Sequence, residues 1–239
     1  MEMIPVVDDA LDLKGFAERK WAEKKGLCHL TTLLIPIIQQ RGRRLVTIQV
    51  RDWRKSFPCC RDVFGGHVAM DKEFWLLLMG VPFDLPELVM AAAVREANEE
   101  LRMCNKNTGH PCILDEKDLR RVGAIGEAQW TGKGNVERST IFLVAIRQEC
   151  CIHPMDDIEG VFHPVKTQDV DWQQLRRRFR ENKQYACEDR ERAKKVGCAR
   201  NKKEWQFADG AARILKDKRL FDLVSAAILG LSDRDFATE

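Results

Sequence analysis

The stretch AVREANEEL, residues 93–101, is the most informative part of the chain. It carries Arg95, Glu96, Glu99 and Glu100 in a run that is otherwise mostly small and apolar. On a helix that turns about 100° per residue, the three glutamates lie within about 100° of arc on one face. Because apolar residues fall on every side of this helix, the sequence predicts that the helix is mostly covered.

Two interpretations of these glutamates are open. Crowded carboxylates in a covered place repel one another and are costly to desolvate, so positive charge should compensate them. Arg95 offers one charge, and a divalent hard cation, which prefers oxygen ligands, offers two more. The simpler alternative is a helix surface on which Arg95 pairs with Glu99 four residues later. The pattern therefore predicts either a metal-binding face or a surface salt bridge.

The helix predicted around this stretch covers residues 84–103. Asp84 with Glu87 matches a capping box, and Pro86 stands in the first turn, where proline is tolerated. A polar run at 105–109 is expected to end the helix. Glu87 should point to the side opposite Glu96, because nine residues at 100° each place them half a turn apart.

Strands are predicted on both sides of this helix. Residues 28–38 and 45–50 are apolar and β-branched, and Gly42 between them favours a hairpin. Residues 63–68 (VFGGHV) end a strand on two glycines, where the backbone can approach another group closely. Two further strands are expected within 120–130 and 139–146. After Pro164 the pattern becomes helical and highly charged.

Composition limits the class of protein. The chain has 239 residues, 44% hydrophobic and 32% charged, which is typical of a soluble globular protein. A net charge of +3 creates no strong global field toward nucleic acid or membrane. No apolar run is long enough to span a bilayer, and the acidic start does not resemble a secretory signal. The nine cysteines favour reduced thiols, so we expect a cytoplasmic protein.

The joint pattern resembles the box of the Nudix hydrolases, which reads G, five residues, E, seven residues, R-E-apolar-x-E-E-x-G-apolar. Glu87, seven residues, then R-E-A-N-E-E at 95–100 and Met103 match it in register. Arg102 stands where the family has glycine, so a different helix exit is expected. The box glycine is Gly66 rather than Gly80, because V-F-G-G-H-V is similar to the family's strand end.

Placing the box glycine at Gly66 implies that about fifteen residues, 71–85, are inserted before the helix. Segments at 26–29 (GLCH), 55–68, 135–144 and 207–210 (FADG) resemble the isopentenyl-diphosphate-isomerase-like branch of the family. The resemblance therefore touches most of the chain.

The branch also supplies the alternative activity. His29 and His67 are the counterparts of two metal-ligand histidines of the isomerase. Its catalytic cysteine would stand at Gly65, which has no proton donor, and its aromatic-G-E-H-E motif is absent from IGEAQW at 125–130. The resemblance thus favours a hydrolase of this branch over an isomerase. A Nudix-derived binding module without catalysis is a third alternative.

The resemblance implies an α/β fold, a Nudix-type α/β/α sandwich with a mixed β-sheet and a helical C-terminal extension. It implies one domain over 1–239, with a core at about 27–165, an N-terminal segment 1–26 and the extension at about 166–239. The implied activity is hydrolysis of a diphosphate linkage in a nucleoside diphosphate derivative or related organic pyrophosphate.

The same resemblance suggests roles for individual residues. Mg²⁺ or Mn²⁺ would be held by Glu96, Glu99, Glu100 and the backbone carbonyl of Gly65. Arg95 would orient a glutamate by paired hydrogen bonds. These groups would bring a densely anionic diphosphate to a carboxylate cluster, which is possible only if cations intervene.

The remaining roles are open between alternatives. The general base is Glu100, or a loop glutamate, with Glu137 as the first candidate and Glu127 as the second. Glu87 is expected to tie the box loop, which contains Gly66. Three roles are weighted equally for His67: a metal ligand, a substrate contact or a structural residue. A core role is favoured for His29 over a ligand role.

Two segments have no template in the family. The inserted residues 71–85 either line the substrate pocket or form the contact of a homodimer. The basic segment 172–205 is interpreted as a solvated helical face, and a surface that binds RNA or phosphate is its alternative. The expected partner is a small-molecule diphosphate, without a membrane, while nucleic acid is the less favoured partner.

Overall fold

The structure is a computed structural model, and it describes residues 2–55, 57–70, 84–132, 135–158, 161–181 and 206–237. The predictions for residues 71–83 of the insertion and for residues 182–205 of the basic segment lie outside these ranges. Five α-helices occur in the described part: α1 (Arg19–Lys25), α2 (Leu85–Leu101), α3 (Trp172–Glu181), α4 (Asp209–Lys216) and α5 (Lys218–Leu229). Short 3-10 helices cover Glu116–Asp118 and Asp233–Phe236.

The strands form one large mixed sheet and two small ribbons. The strands of the sheet are β1 (Met3–Val7), β2 (Leu13–Glu18), β3 (Cys28–Gln40), β4 (Arg43–Val50), β5 (Arg61–Asp62), β7 (Leu119–Val122), β8 (Ala128–Gly132), β9 (Asn135–Ala145) and β13 (Lys166–Val170). The ribbons pair β6 (Cys104–Asn105) with β10 (Cys150–Cys151), and β11 (Met155–Ile158) with β12 (Val161–Pro164).

Strand β3 is the centre of the sheet because it is almost entirely apolar or β-branched and buried. One edge pairs in parallel with β9 from Cys28 to Ile37. The other edge pairs antiparallel with β1 and then with β4. The β3–β4 hairpin turns through Arg41 and Gly42, which both have positive φ (51° and 72°), as this tight turn requires. The predicted hairpin at Gly42 is confirmed.

The sheet has a helical layer on each face. Successive side chains of a strand point to opposite faces, so β3 and β9 feed two separate cores. Leu33, Ile35 and Ile37 of β3 pack into a core shared with α3, α4 and α5. Leu30 and Leu34 pack on the other face with α2. The predicted α/β/α sandwich with a mixed sheet and C-terminal helices is therefore confirmed.

A glycine segment, residues 64–67, fills the gap along β3 between β1 and β4. Phe64 exchanges two backbone hydrogen bonds with Leu34, and the Thr32 N–H donates to the Gly66 carbonyl (2.8 Å). Gly65 has φ of 136°, and a Cβ there would stand 2.0 Å from the Thr32 carbonyl oxygen. Only glycine fits such a close backbone approach, so this segment lies tightly against β3.

Both ends of α2 differ from the predicted ends. Asp84 is the N-cap, but its side chain makes no cap hydrogen bond, so the predicted capping box with Glu87 is wrong. The helix ends at Leu101, before the polar run at 105–109, because Arg102 turns the backbone left-handed (φ 42°, ψ 62°). Arg102 therefore adopts the conformation that a glycine would adopt most easily at this exit.

The cysteines also correct an expectation. Cys112 and Cys150 form a disulfide, and Cys59 is disulfide-bonded as well, so the expectation of reduced thiols is wrong for these three cysteines. Cys112 and Cys150 are 38 residues apart, and their pairing depends on a chain reversal that the sequence does not announce. Among the described residues, no helix is long and apolar enough to cross a membrane.

Candidate active site

A cavity of about 780 Å³ opens where the glycine segment meets α2. The glycine segment and one face of α2 contribute Gly65, Gly66, His67, Glu96 and Glu100 to its lining. The first helix, the start of β9 and the start of α4 complete it from other directions. The cavity thus brings together parts of the predicted site that are about thirty residues apart in sequence.

Glu96 is one of the buried carboxylates of this cavity, together with Asp62. It is 8% exposed, and a Cβ on Gly66 would stand 2.2 Å from its Oε2 atom. A side chain at position 66 would therefore displace the carboxylate, which explains why glycine is needed there. Burial raises the pKa of Glu96, although the guanidinium of Arg95 opposes the shift. A cation added beside this carboxylate would lower the cost of its burial.

Arg95 connects the helix to the glycine segment. Its Nη2 atom lies 3.0 Å from Glu96 Oε1 and donates to the His67 carbonyl at 3.1 Å. Its Nη1 atom lies 3.4 Å from Glu99 Oε2, which is the pair expected from the simpler interpretation of the helix. Arg95 thus positions Glu96, and it also holds Glu99.

The three glutamates of α2 do not share one environment. Glu96 is buried, Glu100 is half-buried and lines the cavity, and the Glu99 side chain is 60% exposed. The expectation that all three crowd into a covered place is wrong for Glu99, because the i+4 pair with Arg95 draws it toward solvent. Glu87 is exposed in the first turn and is not part of the cavity lining among the described residues.

A second donor set faces the same cavity from the sheet. The His29, His67 and Glu137 side chains place their ligand atoms within 4.8 Å of one another. His29 is fully buried and its Nδ1 lies 2.9 Å from the Leu27 carbonyl, which can only accept. The His29 ring therefore carries a proton on Nδ1, which donates to this carbonyl. The expectation of a buried, hydrogen-bonded His29 is confirmed.

The Nε2 atoms of both imidazoles in this set are unsatisfied. Neither His29 Nε2 nor His67 Nε2 has a hydrogen-bond partner among the described residues, although both atoms are buried. The rings stack with centroids 5.2 Å apart. Burial, aided by the charge of Arg19, lowers the pKa of His67 to about 3, so its ring is neutral near pH 7. His67 Nε2 also lies 3.6 Å from Glu23 Oε1, beyond hydrogen-bond distance. Two buried imidazole nitrogens without hydrogen bonds beside a carboxylate are an arrangement that a divalent cation could satisfy.

Glu137 is the anionic member of this imidazole set. Its Oε2 accepts from Arg213 Nη2 at 2.8 Å, and its Oε1 accepts from the Asn135 amide at 2.8 Å. Burial alone would raise the pKa of Glu137, but Arg213 and Asn135 outweigh it, and the pKa lies below its ordinary value. A carboxylate held ionised in this way is a weak base and a suitable ligand.

The sequence contains Glu137 and both histidines but does not show that they meet. They come together because β3 and β9 pair in parallel with His29 opposite Glu137, and the isolated pairing of Thr31 with His67 brings the second ring alongside. The pairing partner of a strand is not written in its own residues, so the set was missed as a set. The nearest sequence signal is the position of Glu137 just ahead of an apolar strand.

Glu127 is not brought to the cavity. Its carboxylate pairs with Arg219 and accepts from the Ala124 backbone N–H (2.9 Å). It lines an adjoining depression of about 740 Å³ against α4 and α5, which shares Trp130, Asp209 and Arg213 with the cavity. Of the glutamates considered as a general base, Glu100 and Glu137 therefore lie in the cavity.

The charge of the cavity has a direct chemical consequence. Carboxylates outnumber cationic side chains among the described lining residues, by seven to four. The acids are Glu2, Glu23, Asp62, Glu96, Glu100, Glu137 and Asp209, and the basic residues are Arg19, Arg51, Lys55 and Arg213. Much of the basic charge is already paired, as in Arg51 with Asp62 and Arg213 with Glu137. An anionic substrate would be repelled here unless further cations were bound.

Comparisons with known proteins give weak likenesses. No protein-family model matches the chain, and no curated protein is similar to it in sequence. Among solved structures, a Nudix hydrolase from M. smegmatis, RenU, is 15% identical, with 95% of this chain and 98% of that one covered and a TM-score of 0.45. DR0079 from Deinococcus radiodurans is also 15% identical, over 82% of this chain and 99% of that one, at a TM-score of 0.45.

A further similar structure is a Nudix hydrolase from Alicyclobacillus acidocaldarius. It is 14% identical, with 64% of this chain and 83% of that one covered, at a TM-score of 0.42. At these identities and TM-scores, the likenesses assign neither a family nor an activity, which must be inferred from the residues of the cavity itself.

Proposed function

We propose that the protein is a metal-dependent hydrolase of the Nudix type, which cleaves a diphosphate linkage in a nucleoside diphosphate derivative or a related organic pyrophosphate. The observation that supports this most strongly is the packing of the buried Glu96 carboxylate on Gly66, with Glu100 beside it in one cavity. The box residues that are separated in sequence meet in space, as such an enzyme would need.

The donor groups fit a divalent cation. Glu96 and Glu100 offer carboxylate oxygens, and Gly65 lines the same cavity, where its backbone carbonyl is a candidate ligand. Oxygen donors of this kind are what Mg²⁺ and Mn²⁺ prefer. When bound, such a cation neutralises phosphate charge and lowers the pKa of a bound water. Glu99 lies at the solvent side on Arg95, so we assign it a positioning role first and a ligand role second.

The chain's own groups would handle the substrate around that cation. Arg51 and Lys55 stand at the cavity wall, where they can contact phosphate oxygens that the carboxylates alone would repel. Glu100 is the favoured general base, because Glu137 is held ionised by Arg213. The imidazole set offers a second cation position in the same cavity.

An isomerase of the isopentenyl-diphosphate type is the second candidate, and the imidazole set is what favours it. Its two histidines match those that the sequence resemblance assigns to the isomerase metal, and Glu137 now joins them. Gly65 weighs against it, because the position of the catalytic cysteine has no room for a Cβ, which would stand 2.0 Å from a backbone oxygen. A thiol cannot replace Gly65 on this backbone.

A substrate screen tests the proposal. The purified chain is incubated with Mg²⁺ or Mn²⁺ and nucleotide sugars, dinucleoside polyphosphates, ADP-ribose, dinucleotide cofactors, nucleoside triphosphates and isoprenoid diphosphates. Products are followed by phosphorus NMR, and chelator-treated enzyme is the control. Metal-dependent cleavage of a diphosphate linkage is expected.

The other outcomes separate the alternatives. Isomerisation of isopentenyl diphosphate without hydrolysis would overturn the hydrolase and support the isomerase. Binding of a panel member with no turnover of any, under both metals, would support a binding module instead.

A further inference from the structure

A cluster of soft metal ligands lies at the exit of α2 and shares no residue with the cavity. The Cys104, Cys151 and His153 side chains place their sulfur and nitrogen atoms within 4.8 Å of one another. Cys104 Sγ lies 3.4 Å from Cys151 Sγ, and Cys151 Sγ lies 3.3 Å from His153 Nε2. From this geometry we infer that the corner is a zinc site with two thiolate ligands and one imidazole ligand.

The ribbon of β6 and β10 orients these ligands. Cys104 stands opposite Cys151, and Cys150 is the neighbour of Cys151 on the same short strand. Because side chains alternate along a strand, Cys150 points inward and joins the disulfide with Cys112, whereas Cys151 points to the other side. The inward cysteines are thus already bonded, and the outward pair is reduced and meets a histidine.

Distances favour a metal over a second disulfide. Zinc bonds of about 2.3 Å to sulfur and about 2.0 Å to nitrogen in a tetrahedron separate two sulfurs by about 3.8 Å and sulfur from nitrogen by about 3.5 Å. The corresponding separations here are 3.4 and 3.3 Å, so the ligands need to open by only a few tenths of an ångström. A disulfide needs the sulfurs at about 2.05 Å, a much larger movement in the opposite direction.

Ligand chemistry distinguishes this corner from the cavity. Thiolate and imidazole donors select zinc over Mg²⁺, which takes carboxylate and carbonyl oxygen. Cys104 and Cys151 are half-buried and His153 is exposed, so water can reach the fourth ligand position. On binding, the two thiols would release their protons to solvent and coordinate as thiolates, with no change in oxidation state.

The site would secure the end of the helix that carries the glutamates. The carbonyl of Leu101, the last helical residue, accepts a hydrogen bond from the His153 backbone N–H at 3.0 Å. Cys104 follows Leu101 by three residues. The ribbon has only two residue pairs, and so short a ribbon is marginally stable by itself. A zinc ion would join the helix exit to the ribbon on its outer side, while the disulfide ties the segment at Cys112 to the ribbon on its inner side.

The test uses the full-length chain, stripped of metal and kept with a reductant that does not bind metal. Zinc is titrated against a colorimetric chelator, and Co²⁺ is then used as a spectroscopic probe. Thiolate ligation produces a sulfur-to-cobalt charge-transfer band, which a carboxylate or imidazole site in the cavity does not produce. We expect this band in the wild-type chain together with the visible bands of tetrahedral Co²⁺.

Variants locate the band. Cys104→Ser combined with Cys151→Ser should abolish it, and His153→Asn should weaken zinc binding at least about tenfold. Cys28→Ser, a reduced cysteine outside the corner, and His110→Asn, an exposed histidine, are the matched controls and should keep the band. Because His153 is exposed, His153→Asn is expected to fold, which circular dichroism verifies.

Two results would overturn the inference. One is the absence of any sulfur-to-cobalt band in folded, reduced protein. The other is an unchanged band in the double cysteine variant. Peptide mapping that finds Cys104 disulfide-bonded to Cys151 under the same reducing conditions, without bound metal, would equally contradict it.

Discussion

The two donor sets in the cavity differ in how the chain assembles them. The carboxylate set, Glu96 and Glu100, comes from two turns of one helix, whereas the imidazole set, His29, His67 and Glu137, comes from three distant segments. The first set takes its spacing from helical geometry, and the second takes it from strand pairing. A set of the first kind can be recognised in a sequence, and one of the second kind becomes visible only in the fold.

The carboxylate set also differs in how its members are held. Glu96 rests on Gly66 and pairs with Arg95, so its position depends on two other elements of the box. The imidazole set is held by the sheet itself, since His29 donates to a backbone carbonyl and Glu137 is fixed by Arg213. Changes that disturb the two sets should therefore have separable effects on rate and on stability.

The largest expected effect comes from removing one carboxylate of the helix. Glu100→Gln should lower the rate of hydrolysis about a thousandfold, the scale on which single groups that stabilise developing charge act. Glu99→Gln is the matched control on the same helix, and its loss should stay within about a hundredfold, because a positioning role is worth less than a direct one. Steady-state kinetics at saturating Mn²⁺ measures both. An equal loss of rate in the two variants would contradict the assignment of a direct role to Glu100 and a positioning role to Glu99.

Substitutions of Gly65 and Gly66 should have the next largest effect. The first should mainly lower stability, and the second should mainly lower activity. Gly65→Ala places a Cβ against the backbone of Thr32, which cannot move away, at a residue with positive φ. It should lower the free energy of unfolding by about 3 kcal/mol, the upper end of overpacking costs. For Gly66→Ala, the three atoms nearest to the new Cβ all belong to the Glu96 carboxylate, which can swing aside.

Gly66→Ala should therefore keep the fold and lose activity. Its free energy of unfolding, measured by urea denaturation, is expected to fall by about 1 kcal/mol. Its rate should fall toward that of a Glu96→Gln variant, because both changes remove the same carboxylate from its place. A stable and fully active Gly66→Ala protein would break the link between the glycine segment and the carboxylate set.

Acid titration isolates the imidazole set. In metal-free protein His67 has a pKa of about 3, against 6.5 for an ordinary histidine. Between these two pH values the ring is protonated in the unfolded chain and neutral in the folded chain. Stability from this group is therefore complete above pH 6.5 and is lost as the pH falls toward about 3. The slope is at most about 1.4 kcal/mol per pH unit.

The matched comparison is made between pH 6.5 and about 5, where most carboxylates have not yet titrated. Urea denaturation in the presence of a chelator should show the slope in the wild type and in Glu100→Gln. His67→Gln should lack it. The same slope in His67→Gln would show that His67 is not the buried neutral ring described here.

The smallest expected effect is at the exit of α2. Arg102 adopts a left-handed backbone conformation that costs an L residue about 1 kcal/mol, so Arg102→Gly should raise the free energy of unfolding by up to about that amount. Arg102→Ala keeps the backbone cost and should not stabilise. Thermal and urea denaturation of the pair measures the difference. If alanine stabilises as much as glycine, the backbone conformation is not the cause.

The carboxylate set on α2 could be predicted from the sequence, whereas the imidazole set could not be predicted as a set. The helix at 85–101 and the β3–β4 hairpin are predictable from local patterns of apolar residues and turns. The layered fold is expected only from the resemblance to a known family. The covered position of Glu96 follows from the same helix periodicity. The exposure of Glu99 does not follow from helix periodicity, because it depends on how Arg95 divides its contacts between Glu96 and Glu99.

What the sequence leaves open depends on pairing between distant segments. The register that sets His29 opposite Glu137, the disulfide of Cys112 with Cys150 and the separation of Glu127 from the cavity all arise from it. The left-handed Arg102 is a further case, since arginine has no preference for that conformation, and only the match to a glycine position indicated a different exit.

Manganese binding tests the central claim most directly. Free Mn²⁺ is measured by electron paramagnetic resonance during titration of the wild type, Glu100→Gln and Glu137→Gln. If the carboxylate set holds the cation of the reaction, Glu100→Gln should weaken that site at least about tenfold while Glu137→Gln leaves it in place. Identical Mn²⁺ binding by Glu100→Gln and the wild type would contradict the assignment of the metal to α2.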